Sequence, residues 1–462
     1  MRHFYLLLCC FFGMNSIHAQ QSMNMELLAQ WNNTSLTTVD GDQLWNDIGG
    51  YYDSVSKKEY AILLGNDSFY FFDVTKPTLT KLVATFDGYS KRSINRDVEI
   101  YDHYAYFVSE RSGSLGGLQI LDLQYLPDSV HEVYRSDALS VQAHTIFVEA
   151  KSKRLYVCQN SLKNGFSAMD ILSIENPELP TKLASLQIPV NGFGQPQFSK
   201  VHEMYGRNDT VYLSCYEAGL YIIDVTNLNN QKLLGTITNY PQMGTNHSSW
   251  LNEKGDKIMF TDENLGSPIK IFDISDITNP KQIVYFNSHP SALPHNAYWK
   301  NNMAIVSSYE DGVYVYDLTD PFNPKTHAYY DTYQLNADGV YNGFHGCWGV
   351  WPYLPSGNIL ASDISEGLFV LKVKNEVGVK NITKLNAEIK IFPNPVSNVL
   401  NFNCDLTKYE RVLIFDVQGQ VMLSEETQYA KNQLKLTNFK PGIYYCKFIG
   451  DGTQQILKLL VN

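Results

Sequence analysis

The sequence lacks the motifs by which many enzyme classes are recognised. It contains no GxSxG nucleophile elbow, P-loop, HExxH, GxGxxG or EF-hand spacing. The stretch "DGDQLWND", which begins at Asp40, offers oxygen ligands for calcium. It has neither the central glycine nor the terminal glutamate of an EF-hand, so a solvated turn is favoured there. No residue set indicates catalysis, and the sequence leaves open whether the chain is an enzyme.

Basic residues are also in short supply. Lysine and arginine number 36 against 47 acidic residues, which gives a formal net charge of -11. Without a local basic stripe, such a chain repels phosphate backbones and anionic lipid surfaces. Nucleic acid is therefore excluded as a predicted partner.

Long apolar runs are absent beyond the N-terminus. Residues 1–19 have an early arginine, an apolar stretch from Phe4 to Phe12 and a small residue, Ala19, which is typical of a cleaved export signal. Cys9 raises a lipoprotein alternative, which the large leucines before it fit poorly. No later segment reaches about eighteen apolar residues, so we predict no transmembrane segment in the mature chain.

Cysteine is scarce. Removal of the signal takes away Cys9 and Cys10 and leaves Cys158, Cys215, Cys347, Cys404 and Cys446. This odd number has no CxxC or zinc-like spacing and supports no disulfide framework. Cys404 and Cys446 lie in one C-terminal segment, where they either pair or serve as small buried apolar residues.

Strand-forming residues are abundant, with 31 tyrosines and 23 phenylalanines. Apolar strands that end in aspartate recur, with a seventh, degenerate copy at "LFVLKV". They are "FYFFDV" (Asp73), "LQILDL" (Asp122), "FSAMDI" (Asp170), "LYIIDV" (Asp224), "IKIFDI" (Asp273) and "VYVYDL" (Asp317). The aspartate suits the following turn, because its carboxylate can accept backbone N–H bonds there.

Each copy follows another apolar strand and most precede a weaker one, which makes four strands a unit. Four-stranded antiparallel sheets repeated at about 40 to 50 residues are typical of a β-propeller. The sequence predicts an all-β fold with a seven-bladed β-propeller over residues 25–373. The seventh unit lacks an outer strand, and "ELLAQW" at 26–31 resembles the other outer strands. We expect this N-terminal strand to complete the seventh blade and close the ring.

On these strands, chiefly "LQILDL" and "LYIIDV", the region resembles the exported LVIVD-repeat propellers known as choice-of-anchor B proteins. The resemblance covers residues 25–373. It implies export and a propeller fold, and it implies no established reaction.

The sequence pattern changes after a polar linker at 374–386. Residues 387–462 carry Pro393, Asn394 and Pro395 in "FPNP", Gly419 in "DVQGQ", and Pro441 and Gly442 in "PGIYY". On these motifs the segment resembles the type A C-terminal sorting domain of the type IX secretion system of Bacteroidetes. We expect a small β-sandwich with a glycine-bearing hairpin. A carbohydrate-binding or adhesive Ig-like module is the alternative.

A polar residue begins the innermost strand of each predicted repeat. These residues are Asp47, Asp97, His144, His202, His247, His295 and His345. An acid stands fifteen residues after three of the histidines, at Glu217, Asp262 and Glu310. Because strand starts and ends are neighbours in an antiparallel hairpin, each acid is expected beside its own histidine.

Two interpretations of the histidines stay open. A pair that recurs in most blades can be part of the scaffold, with each imidazole holding strand to strand. Alternatively, His144, His202, His247, His295 and His345 converge near the axis and bind a divalent metal, with Glu217, Asp262 and Glu310 as outer carboxylates.

The sequence thus predicts a secreted or surface-attached binding protein, delivered by the type IX secretion machinery, with an unknown glycan or protein ligand at the outer surface. A metal-dependent extracellular hydrolase or oxidoreductase is the first alternative. A structural adhesion protein is the second.

Overall fold

A computed structural model describes residues 22–110, 116–333, 340–374, 389–403, 409–417, 420–427, 432–450 and 453–462. The chain divides into two compact units, Met1–Asn375 and Glu376–Asn462. The predicted signal at 1–19 and, apart from Lys374, the predicted linker lie outside the described residues, as do Cys404 and Gly419.

The first two strands among the described residues of the first unit are β1 (Ser22–Met23) and β2 (Met25–Trp31). Three antiparallel sheets follow in chain order, each of four strands that pair with their sequence neighbours. The first contains β3 (Trp45–Asp53), β4 (Lys58–Gly65), β5 (Ser68–Asp73) and β6 (Lys81–Asp87), with a 3-10 turn at Pro77–Leu79. The second contains β7 (Asn95–Tyr101), β8 (Tyr104–Glu110), β9 (Leu118–Asp122) and β10 (His131–Ser136). The third contains β11 (Ile146–Glu149), β12 (Arg154–Leu162), β13 (Gly165–Ser173) and β14 (Thr181–Ser185).

The next sheets repeat this plan. The fourth contains β15 (Glu203–Arg207), β16 (Thr210–Ser214), β17 (Leu220–Asp224) and β18 (Lys232–Ile237). The fifth contains β19 (Asn246–Leu251), β20 (Lys257–Asp262), β21 (Ile269–Asp273) and β22 (Lys281–Phe286). The sixth contains β23 (Ala297–Lys300), β24 (Met303–Ser308), β25 (Gly312–Asp317) and β26 (Lys325–Tyr330), and the seventh contains β27 (Cys347–Trp351), β28 (Ile359–Asp363) and β29 (Gly367–Val373).

The N-terminal strands complete the last two sheets. β2 pairs antiparallel with β29, so that Met25 lies opposite Val373 and Trp31 opposite Leu368. This confirms the expected partner of the N-terminal strand. β1 adds two residues to the outer edge of the sixth sheet, beside β26.

One irregularity marks the outer strand pair in all seven of these sheets. The register between the third and outer strands shifts by a β-bulge, for example between Ile222 and Ile223 of β17. A bulge adds twist to a strand pair. Its recurrence identifies the sheets as copies of one structural unit.

The aspartates that end the third strands act as predicted. Backbone N–H groups two residues on donate to the carboxylates of Asp73, Asp122, Asp224, Asp273 and Asp317, over 2.8–3.0 Å. Asp170 differs, because β13 continues past it to Ser173. Asp170 is buried and accepts from Asn160, Lys182 and Ser185 instead.

We call the first strand of each sheet its inner strand. Each inner strand from β3 to β19 contacts the inner strand of the next sheet, and β27 contacts both β24 of the sixth sheet and β3 of the first. The middle strands are almost wholly buried, and apolar side chains such as Phe71, Ile120 and Ile271 pack between neighbouring sheets. The core therefore lies between sheets.

The second unit is also built of antiparallel strands. In chain order they are β30 (Lys390–Phe392), β31 (Val399–Asn403), β32 (Arg411–Asp416), β33 (Val421–Glu426), β34 (Gln433–Lys435), β35 (Gly442–Gly450) and β36 (Thr453–Val461). They form a three-stranded sheet in the order β30-β31-β34 and a four-stranded sheet in the order β33-β32-β35-β36. Leu400, Val412, Leu434 and Phe448 are among the buried residues of one apolar cluster between them.

Candidate functional site

Six of the seven residues that start the predicted inner strands line one cavity in the first unit. They are Asp47, Asp97, His144, His202, His247 and His295. We call this space the inner-strand cavity. Its volume is about 50 Å³, which is room for an ion and a few waters.

Four imidazoles lie in a row along the wall of the cavity. Neighbouring ring centroids are 4.2 Å apart for His144 and His202, 4.1 Å for His202 and His247, and 4.2 Å for His247 and His295. Burial lowers the pKa of His202 and His247 well below the usual imidazole range, and lowers the pKa of His295 to about 3. These three rings are therefore neutral at physiological pH.

One hydrogen bond fixes where the proton of the His295 ring lies. The His295 Nδ1 atom is 2.7 Å from the carbonyl oxygen of Trp348. A carbonyl only accepts, so Nδ1 carries the proton and Nε2 keeps its lone pair. His144 Nδ1 is 2.6 Å from the Glu110 carboxylate, and His144 Nε2 is 2.9 Å from His202 Nε2.

His345 does not join this row. Its side chain is 36% exposed, lies 3.6 Å from Asp42, and stacks on Tyr333 with ring centroids 5.7 Å apart. Gly343 and Gly346 flank it with φ values of 112° and 89°. At these left-handed angles the backbone turns just before β27, so His345 loses the phase of the other histidines.

The three predicted outer acids are not beside their histidines in the described residues, which corrects the expected pairing. Glu217 is exposed. Asp262 is buried and lies 3.1 Å from the ammonium of Lys270, which is itself buried. Glu310 accepts the backbone N–H of Asn342 at 2.8 and 2.9 Å.

Other acids face the imidazoles. Glu203 lies 3.8 Å from His247 Nδ1, and Glu263 lies 3.8 Å from His247 Nε2 and 3.5 Å from His295 Nε2. Glu263 stands just past the end of β20 and faces the histidines, whereas Asp262, the last residue of that strand, pairs with Lys270. The one signal in the sequence was adjacency, since Glu203 directly follows His202 and Glu263 follows Asp262.

Two overlapping groups of ligand atoms result. His202, Glu203 and His247 form one, and His247, Glu263 and His295 form the other. Within each group the ligand atoms all lie within 4.8 Å of one another. His247 belongs to both.

Further carboxylates face the same cavity from β3 and β7. Burial raises the pKa of Asp47, Asp97, Glu99 and Glu203, and neighbouring carboxylates raise those of Asp47, Glu99 and Glu203 further. Arg96 is the one cationic side chain among the described residues that line the cavity. Its guanidinium donates to the carbonyl oxygens of Asn66 and Ser90. The cavity therefore holds an excess of carboxylates without a partnering cation.

An aromatic cluster borders the cavity. Each histidine of the row is followed three residues later by an aromatic residue of this cluster: Phe147, Tyr205, Trp250 and Tyr298. β-Bulge registers at strand starts, such as that between Asn246 and Ser249, let both members of a pair face inwards.

Aromatic contacts also join strands that are not neighbours. Phe147 and Trp250 have ring centroids 6.3 Å apart, and Trp250 and Tyr353 5.9 Å apart. Gly50 takes the corresponding place in β3, where a Cβ atom would lie 2.2 Å from the Trp351 ring. Trp351 and Tyr353 complete the cluster, with ring centroids 5.5 Å apart.

In the second unit, the "FPNP" motif anchors the first strand to the last. The Asn394 side chain donates to the carbonyl of Lys458 and accepts from the N–H of Leu460, both at 2.8 Å. Pro441 precedes β35, which begins at Gly442. Gly419 lies outside the described residues.

Comparison with known proteins identifies this second unit. Residues 390–462 match the family described as Secretion system C-terminal sorting domain. No curated protein matches the chain. The described residues include no helix of the length and apolar character that a membrane span requires. The chain therefore carries at 390–462 a C-terminal sorting domain of the type IX secretion system, which implies export to a secreted or cell-surface state.

Proposed function

We propose that residues 25–373 form a seven-bladed β-propeller of the LVIVD-repeat, choice-of-anchor B group, which the sorting domain delivers to the cell surface as a cation-binding protein. The sequential contacts between inner strands, and the contact of β27 with β3, support a ring. Pairing of β2 with β29 supports closure by the N-terminal strand, because the last sheet then has no exposed third-strand edge.

Deletion of residues 24–34 tests this closure. Removing β2 exposes the edge of β29 and the apolar surface that Trp31 covers against Trp45 and Phe72. We expect a large fall in melting temperature and aggregation of the truncated protein. The protein that starts at residue 22 is the matched control. An unchanged melting temperature would rule out closure by this strand.

Delivery to the cell surface is tested by attaching the second unit to a reporter protein. A reporter that carries an export signal and residues 387–462 should reach the cell surface or medium of a host that has type IX secretion. The same reporter without residues 387–462 should stay in the periplasm. Surface delivery of the chain lacking this segment would contradict the proposal.

The observation that carries the binding function is the set of donor atoms that line the inner-strand cavity. Carboxylates of Asp47, Asp97, Glu99 and Glu203 face neutral imidazoles there, and the Arg96 guanidinium is bonded elsewhere. Imidazole lone pairs and carboxylate oxygens are donors for cations. A volume of about 50 Å³ suits an ion and its water better than a sugar or peptide.

Binding is tested on the full chain after treatment with EDTA. Melting temperature is followed with Mg²⁺, Ca²⁺, Mn²⁺, Co²⁺, Ni²⁺ and Zn²⁺, with sodium phosphate as the anionic control. We expect at least one cation to raise the melting temperature, because a ligand that binds only the folded state stabilises it. If no cation has an effect, the binding function is wrong, and a glycan array then tests the adhesion alternative.

A metal-dependent enzyme is the second candidate, supported by the same donors. Such an enzyme needs room for a substrate beside the ion. The small cavity therefore favours binding over catalysis.

A further inference from the structure

We propose that the inner-strand cavity binds one divalent transition-metal ion through His247 Nε2, His295 Nε2 and a carboxylate oxygen of Glu263. The inference rests on the proposed cation-binding function and specifies its site. It uses two of the five histidines predicted from the sequence and one acid that the sequence pattern did not predict.

The first argument is the orientation of His295. Its Nδ1–H donates to the Trp348 carbonyl, so the lone pair of Nε2 points elsewhere. A Glu263 oxygen lies 3.5 Å from that nitrogen. A lone pair and a carboxylate at this distance repel each other unless a proton or a cation lies between them. An ion at this point removes the repulsion.

The second argument is spacing. Zinc binds histidine nitrogen and carboxylate oxygen at about 2.0–2.1 Å in tetrahedral sites, which places neighbouring donors about 3.4 Å apart. Glu263 Oε1 lies 3.5 Å from His295 Nε2, and Glu263 Oε2 lies 3.8 Å from His247 Nε2. One ligand atom from each of the three residues lies within 4.8 Å of the other two. Small side-chain adjustments therefore bring these three donors to bonding distance from one ion.

The third argument is that the His247 ring is buried and has an unsatisfied nitrogen. The residue is 2% exposed, and in the part of the chain that the structure describes its Nδ1 atom is buried without a hydrogen-bond partner. An unsatisfied buried polar group destabilises the fold. A metal on Nε2 keeps the ring proton on Nδ1, where the Glu203 carboxylate faces it at 3.8 Å.

Outer contacts hold this set of donors in place. The Trp348 carbonyl fixes the ring of His295, and the Tyr309 hydroxyl donates to Glu263 at 2.7 Å. Glu203 stands behind His247 as a positioning residue. Hydrogen bonds such as those of the Trp348 carbonyl and the Tyr309 hydroxyl orient metal ligands and typically contribute 10- to 100-fold in affinity.

The alternative set of His202, Glu203 and His247 lacks such anchors. His202 Nε2 contacts His144 Nε2, and His144 Nδ1 lies between Glu110 and Asn95, so no carbonyl fixes the proton positions. Binding there would also remove Glu203 from its place behind His247. We therefore assign the ion to the set that contains Glu263.

Donor chemistry defines the class of ion. Two imidazole nitrogens and one carboxylate suit Zn²⁺, Co²⁺, Ni²⁺ or Cu²⁺, whereas Ca²⁺ and Mg²⁺ prefer sites made of oxygen alone. Water from the cavity would take the fourth position.

The test is titration of the EDTA-treated full chain with Co²⁺, followed by visible absorption, and metal content by mass spectrometry after loading with Zn²⁺. We expect one ion per chain and the strong absorption of tetrahedral Co²⁺. His295→Gln and Glu263→Gln should each weaken Co²⁺ binding at least 100-fold. Glu203→Gln should weaken it by a smaller factor, because Glu203 lies 3.8 Å from His247 Nδ1 and makes no hydrogen bond to it.

Two histidine variants serve as matched controls. His345→Gln lies outside the cavity and should leave the Co²⁺ affinity within about twofold of the unmodified protein. His202→Gln should change it less than tenfold. Far-UV circular dichroism and melting temperature establish that each variant is folded before binding is measured.

Three outcomes would overturn the assignment. Loss of Co²⁺ binding in His202→Gln, with normal binding in His295→Gln, would place the ion in the alternative set. Stabilisation by Ca²⁺ or Mg²⁺ alone, unaffected by the histidine variants, would leave the cation-binding function intact and refute this site. Absence of binding by every cation would refute the proposed function itself.

Discussion

The inner strands and the segments next to them carry two neighbouring regions of opposite chemistry, which we call the polar layer and the aromatic layer. The polar layer comprises His144, His202, His247, His295, Asp47, Asp97, Glu203 and Glu263. The aromatic layer comprises Phe147, Tyr205, Trp250, Tyr298, Trp351 and Tyr353. Each histidine of the polar layer stands three positions before one of the aromatic residues Phe147, Tyr205, Trp250 and Tyr298. The same segments of the chain therefore build both layers.

The comparison separates what stabilises the fold from what does not. Aromatic rings at 4.6–6.3 Å gain dispersion and edge-to-face contacts. Buried carboxylates without a cation lose solvation, and their raised pKa values record that loss. A destabilising cluster held by a stabilising one is typical of a functional site.

Asp262 shows what a compensated buried acid looks like in the same molecule. It pairs with buried Lys270 at 3.1 Å and accepts from the Tyr240 hydroxyl. Lys270→Met would leave Asp262 as uncompensated as the polar layer. We expect the free energy of unfolding to fall by about 3 to 5 kcal/mol, measured by urea denaturation.

The double variant Lys270→Met with Asp262→Asn is the control for this prediction. With no charge left, most of the lost stability should return. A single variant as stable as the unmodified protein would show that an uncompensated acid is tolerated at this position.

Trp250→Ala breaks the aromatic layer at its best-connected ring, which contacts Phe147, Tyr205, Tyr298 and Tyr353. The lost contacts and the space left behind should lower the free energy of unfolding by about 3 kcal/mol. Trp250→Phe should lose less than half of that. Equal stability of Trp250→Ala and the unmodified protein would mean that the layer does not support the fold.

Asp47→Asn, in the polar layer, is expected to stabilise the protein, whereas Trp250→Ala in the aromatic layer destabilises it. Burial and Asp97 raise the pKa of Asp47 in the folded protein. The free energy of unfolding is therefore unaffected by this group below the ordinary carboxyl pKa, and it falls as the pH rises above that value. At pH 8 in EDTA, the free energy of unfolding of the variant should therefore be on the order of 1 kcal/mol higher than that of the unmodified protein. This gain in stability should vanish near pH 4. A variant that is less stable than the unmodified protein at pH 8 would contradict the expected difference between the polar and aromatic layers.

His345→Gln should have the smallest effect. The side chain is partly exposed and stands apart from the polar layer. We expect a change in the free energy of unfolding below about 0.5 kcal/mol. A loss of more than 2 kcal/mol would show that this histidine has a structural role that its contacts do not indicate.

The sequence by itself determined the strands, their antiparallel order and the sorting domain. Apolar runs that end in aspartate mark the third strands because the turn that follows needs a side-chain acceptor at that point. The partner of the N-terminal strand was also predictable, since an outer strand was missing from one end and present at the other.

Only the tertiary structure decided which side chains meet. Glu263, just past the end of β20, reaches the histidines, whereas Asp262, the last residue of that strand, does not. Two glycines before β27 turn His345 away from the cavity. Lys270 forms an ion pair with Asp262, although the two residues are eight positions apart in the sequence. Spacing along a chain fixes a repeat, whereas the direction of each side chain depends on local backbone angles and bulges that a repeat does not specify.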